Sequence, residues 1–116
     1  SGLFEDLEEL PGQQKKIFEE LFFPDEEFKM CVTLKGTLNA PHLALTDQRL
    51  IKATNTATGY NSESYDLDSI SQFDYDDGLT KSTMSISGSG IDEEFTVSSL
   101  TTQDLNEFQQ GVYNYK

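Results

Sequence analysis

The chain has 116 residues and carries 21 Asp and Glu against 8 Lys and Arg, a formal net charge of −13. Hydrophobic residues make up 35% and charged residues 25%, which fits one small folded domain and not a disordered chain. The charge repels nucleic-acid phosphates and anionic lipid surfaces, the single Cys excludes an internal disulfide, and no apolar run approaches the roughly 20 residues of a membrane-spanning helix.

The Ser1-Gly2 start lacks Met and reads as a processed or engineered start. No signal-peptide pattern is visible, so a cytoplasmic location is expected. Residues 1–24 read as a helical extension. Leu3, Phe4, Leu7 and Leu10 recur on one helical face, and Pro11-Gly12 breaks the pattern. A second helix follows, with Ile17, Phe18, Leu21 and Phe22 on one side and the Lys15–Glu19 and Lys16–Glu20 pairs on the other. Pro24 closes it.

From residue 25 to about residue 100 the period becomes two. Phe28, Met30, Val32 and Leu34 alternate with Lys29, Cys31, Thr33 and Lys35, the pattern of a half-buried strand. His42–Thr46 and Arg49–Thr54 form the next two, joined by a tight turn at Asp47-Gln48. Tyr65 and Leu67 mark a fourth strand after Thr58-Gly59. Phe73 and Tyr75 mark a fifth, ending at an Asp77-Gly78 hairpin signal. Met84 and Ile86 lie in a sixth, and Phe95 and Val97 in a seventh after Gly88-Ser89-Gly90. Residues 101–116 then read as a helix, opened by a capping box at Thr101-x-x-Asp104 and buried along Leu105, Phe108 and Val112.

Seven short strands and one amphipathic helix, in this order, resemble the pleckstrin-homology (PH) superfold. The run Leu43-Ala44-Leu45-Thr46-Asp47-Gln48-Arg49-Leu50-Ile51 resembles the Thr-x-x-Arg hairpin of bacterial PH-like domains. Tyr65-Asp66-Leu67-Asp68-Ser69-Ile70-Ser71-Gln72-Phe73 resembles their next signature, an aromatic strand running into an Ile-Ser pair. The resemblance covers roughly residues 26–113 and is nearest the YokE-like bacterial PH group. It implies an α+β fold: a seven-stranded, strongly bent antiparallel barrel capped by a C-terminal helix and preceded by N-terminal helices. It also implies a non-catalytic binding module for headgroups, peptides or other proteins, with no cofactor. A fold alone specifies no chemistry.

Charge is unevenly spread. Residues 31–60 hold one acid and three bases (net +2), whereas residues 1–30 hold nine acids against three bases (net −6) and residues 61–116 eleven against two (net −9). Candidate anion ligands are therefore Lys29 and Lys35 before the loop joining strands one and two, His42 after it, and Lys52. The chain departs from eukaryotic phosphoinositide binders in lacking an Arg-x-Arg cluster there, so stable membrane binding is not expected. For Arg49, the sole Arg, the resemblance implies a structural role, pairing with backbone or a carboxylate beside its hairpin. Asp74-Tyr75-Asp76-Asp77-Gly78 fails the calcium-loop spacing, because Gly78 and Leu79 fall at positions 5 and 6 and Ser85 at position 12. No metal is expected. Neither His42 nor Cys31 has a catalytic partner in the pattern, and an enzyme is not expected.

Leu3, Phe4, Leu7, Phe18, Phe22 and Phe23 supply more apolar surface than a short appendage needs, and they are the candidate partner-binding residues. Burying each contributes roughly 1.5–3 kcal/mol, whether against the barrel, a second copy or another protein. Protein interaction or self-association is thus the expected function. The alternatives are weak headgroup binding at the strand one–two loop and an acidic decoy that mimics DNA charge.

Overall fold

Two-residue periodicity from Phe28 to Val97 is realised as a pair of antiparallel sheets. The computed structural model describes every residue except Ser1, Thr37 and Ser99. A five-stranded sheet is ordered β1 (Leu3–Phe4), β2 (Phe28–Thr33), β3 (His42–Thr46), β4 (Arg49–Thr56) and β5 (Gly59–Asp66). A short 3-10 turn, Leu67–Ser69, leads into a three-stranded sheet of β6 (Ile70–Asp77), β7 (Ser82–Gly88) and β8 (Ile91–Val97). The sheets join where Leu34 bridges Val97, with Lys35 N–H donating to Thr96 C=O and Ser98 N–H to Thr33 C=O. The seven strands expected are present as β2 to β8, and β1 is an addition.

Between the sheets lies the main core. Val32, Leu43, Leu45, Leu50, Phe73, Met84, Ile86 and Phe95 point inward, and α2 (Thr102–Tyr115) closes the core with Leu105, Phe108 and Val112. The capping box at its start forms as expected: Asp104 N–H donates to the Thr101 hydroxyl, and Thr101 N–H to the Asp104 carboxylate.

The first ten residues depart from the helical expectation. Leu3 and Phe4 form a strand antiparallel to β2, in register with Val32 and Cys31. Leu3 thereby packs on the inner core while Phe4 packs on the outer side of the sheet. Asp6 and Glu9 form a capping box that starts only a 3-10 turn, Leu7–Glu9. Pro11 carries no N–H to continue that turn and precedes α1 (Gly12–Leu21). A second departure is the connection after β6. A four-residue loop, Gly78–Lys81, replaces a two-residue hairpin and is closed by Gly78 N–H donating to Lys81 C=O.

Residues 3–22 thus form a strap that joins the five-stranded sheet at β1 and then crosses its outer face. Leu10, Ile17 and Phe18 meet Cys31, Ala44, Ile51 and Ala53 in a second apolar cluster. As a result all five residues of β3 are buried, on both faces of the sheet.

Candidate interaction surfaces

The strap absorbs most of the apolar residues expected to meet a partner. Phe18 is wholly buried; Leu3, Phe4, Leu7 and Phe22 are half-buried against the sheet. The Phe22 ring stacks on Phe18 at 5.8 Å and tilts toward Phe28 at 6.3 Å. Of the six, only Phe23 is exposed, at 50%, and its ring lies 4.1 Å from the Arg49 guanidinium.

Arg49 explains how the strap's end is held. Its Nε donates to Glu26 Oε2 at 2.8 Å and its Nη2 to Glu26 Oε1 at 2.9 Å, a two-pronged ion pair. Nη2 also donates to Leu21 C=O at the end of α1, and Nη1 to the Ser64 hydroxyl on β5. The Thr46 hydroxyl donates to Glu26 at 2.7 Å and accepts the Gln48 and Arg49 N–H groups that close the β3–β4 turn. Burial pushes the Glu26 carboxyl up, but Arg49, Thr46 and the Phe23 N–H together outweigh it and hold the group below the ordinary value. The Thr-x-x-Arg signature is therefore a clamp on the N-terminal segment. Its acidic member, Glu26, lies 20 residues before Thr46, and nothing in Asp25-Glu26-Glu27 marks the middle residue for the role.

The four candidate anion ligands do not converge. Lys29 pairs with Glu27 at 3.3 Å and lies 4.8 Å from the centre of the Tyr115 ring. His42 is buried on the outer face of β3, its ring 6.5 Å from that of Phe4, and its Nδ1 has no hydrogen-bond partner. Lys52 stands opposite Leu43 and Glu63 across the neighbouring strands. Lys35 alone reaches an open depression, beyond the far end of β2 from Lys29.

That depression is a groove of about 350 Å³ lined by Lys35, Asp77, Leu79, Lys81, Val97 and Leu100, among others. It forms because the end of β2 meets the ends of β8 and the β6–β7 loop at the sheet junction. Its acid, Asp77, is already engaged by the Ser82 and Thr102 hydroxyls, which hold its carboxyl below the ordinary range. Two lysines are left facing the groove. The loops beside it carry the most exposed leucines: Leu38, between β2 and β3, at 94%, and Leu79, which is fully exposed. Sequence reading missed Leu38, Leu79 and Lys81. Their signal is a lone Leu inside an otherwise polar, Gly-containing loop, too common to stand out.

The chemistry available to Cys31 and Tyr65 is limited by burial. Burial pushes the Cys31 thiol well above its ordinary value. Burial and the Glu63 and Glu93 carboxylates, both 3.1 Å from its oxygen, do the same to the Tyr65 phenol. Among the described residues no group of three or more His, Cys, Asp or Glu is arranged to hold a metal ion, and no helix is long and apolar enough to cross a membrane.

The family model described as a bacterial PH domain matches residues 23–114. The chain belongs to the bacterial PH domain family. A solved structure of similar shape, a DUF1696-family protein with a pleckstrin-homology domain from Shewanella loihica PV-4, aligns with a TM-score of 0.67 over 99% of this chain and 97% of that one. At 16% identity that likeness shows the fold alone. No curated protein matches. The match begins at Phe23, so this PH domain carries its strap outside the family model, while the Glu26–Thr46–Arg49 clamp lies inside it.

Proposed function

We propose that this PH domain is a non-catalytic, cytoplasmic protein-interaction module whose loop end makes the contact, self-association included. The observation that carries the reading is the exposure of Leu38 and Leu79 on the loops beside the Lys35–Lys81 groove. Water-exposed leucines on adjacent loops give up roughly 1.5–3 kcal/mol each that a partner surface can recover. The one His and the one Cys are both buried, which leaves little for general acid–base or thiol chemistry.

Convergence of Lys35 and Lys81 favours a second reading, an anionic headgroup held in the same groove. The net charge of −13 opposes the long-range attraction an anionic membrane requires, and two lysines do not offset it.

Co-sedimentation with phosphatidylcholine vesicles, with and without phosphatidylserine, separates the readings. The protein is expected to stay in the supernatant at physiological salt. Sedimentation velocity is expected to show a concentration-dependent mass that the Leu38→Ser/Leu79→Ser variant loses. Pelleting with the anionic vesicles would transfer the function to headgroup binding, and a strict monomer would remove self-association from it.

A further inference from the structure

β5 is the terminal strand of its sheet, and among the described residues no further strand pairs with its far edge. α1 comes near it only at its start, where Gln13, Lys16 and Glu20 line a depression with Gly59 and Tyr60. It pairs with β4 over its whole length, from Gly59 opposite Thr56 to Asp66 opposite Arg49, without a register shift. In such a ladder alternate residues turn both N–H and C=O away from the sheet. Among the described residues, no bond from another element reaches those outward groups on β5.

The edge of the second sheet is treated differently. On β6, the Phe73 N–H donates to the Tyr113 hydroxyl and the Phe73 C=O accepts from Gln109 Nε2, both at 2.8 Å, so α2 occupies that edge. Among the described residues no helix bonds to the β5 edge in this way. Nor does β5 carry the Lys, Pro or bulge that commonly blunts an edge. Residues 59–64 are all exposed.

Charge selects the occupant. β5 bears Glu63 and Asp66 and no base. The Tyr65 hydroxyl, 3.1 Å from both Glu63 and Glu93, brings the acidic start of β8 alongside. Lys52 faces Glu63 across the ladder but forms no ion pair with it among the described residues. A second copy pairing through its own β5 would set these carboxylates against their like, which destabilises a cross-strand ladder.

We propose that the open edge of β5 accepts an extended peptide segment bearing Lys or Arg as an added strand. Backbone pairing supplies the affinity, and Glu63, Asp66 and Glu93 select the charge. The inference rests on the reading of this domain as a protein-binding module but uses a surface separate from the loop groove.

The probe is a synthetic peptide of alternating Lys and Val, about eight residues long to match β5, with an alternating Glu and Val peptide as its counterpart. Binding to the full chain is followed by amide chemical shifts and hydrogen exchange. The Lys peptide is expected to bind saturably, protect the outward amides of β5 and weaken with added salt. The Glu peptide is expected to do none of these. The Glu63→Gln/Asp66→Asn variant, which keeps the backbone edge, is expected to bind the Lys peptide about tenfold more weakly. Leu38→Ser/Leu79→Ser is expected to bind it unchanged. Unaltered affinity in the carboxylate variant, equal binding of the Glu peptide, or the absence of saturable binding would overturn the inference. Shifts confined to the loop groove would overturn it while leaving the protein-binding reading in place.

Discussion

At the scale of single residues, Arg49 is 9% exposed, and its guanidinium holds Glu26, Leu21 C=O and Ser64 at once. Lys has one point charge and cannot reproduce the two-pronged geometry. Arg49→Lys is expected to destabilise the fold by about 2 kcal/mol, and Arg49→Ala, which strands the Glu26 charge, by about 3–5 kcal/mol. Urea denaturation checks both. Besides the exposed Asp77, two groups of lowered pKa, both at least partly buried, shape the acid response. Burial depresses His42, with the Ala40 backbone opposing it, and Glu26 is depressed by its partners against burial. In each case the unfolded chain binds the proton first, so stability falls as pH drops. The loss begins below about pH 6.5 for His42 and below about pH 4.3 for Glu26. Urea midpoints between pH 8 and pH 3 should show the upper step vanish in His42→Gln and the lower shrink in Glu26→Gln, where Asp77 still contributes. Repulsion among the other carboxylates eases over the same acid range, so each variant is compared with the parent chain. The Thr46–Arg49 half of the clamp is legible, because both residues sit in one short hairpin. Glu26 is not, because only the folded chain brings it there.

Among elements, the strands were readable wherever one face is wet and the other dry. Phe73 and Tyr75 against Asp74 and Asp76 is such a case. The strap's first turn was not. Leu3, Phe4, Leu7 and Leu10 fit a helical face, but Leu3 and Phe4 serve two different cores from opposite sides of a strand, a demand the local pattern does not contain. The Asp6-x-x-Glu9 capping box was legible and would have placed the helix start later. Glycines sort the same way. A Cβ at Gly88 would stand 1.9 Å from Ser69 C=O, where β7 meets the irregular start of β6. At Gly12, the first residue of α1, a Cβ would meet nothing within 4 Å. Gly88→Ala is therefore expected to cost about 1–3 kcal/mol or more, and Gly12→Ala to be neutral or stabilising by up to about 1 kcal/mol. Thermal denaturation of the two variants side by side tests this.

For the whole molecule, the strands and the closing helix are legible because each rests on local alternation and turns, whereas the bent-barrel arrangement comes from the resemblance of their order to PH domains. How the apolar surplus of the N-terminus would be used is not legible, since packing inward and docking outward have the same sequence signature. The strap resolves it by making the two sheets unequal. The three-stranded sheet keeps one solvated face, while β3 is enclosed on both. This inequality shapes the order in which the native protein opens. Amides of β3 sit beneath two layers that must both lift before deuterium reaches them, whereas those of β7 are screened by one. In a chain lacking residues 2–22, native-state hydrogen exchange should therefore speed up along β3 far more than along β7. The strap would then act as the slow gate of a cooperative opening unit that the barrel alone does not possess.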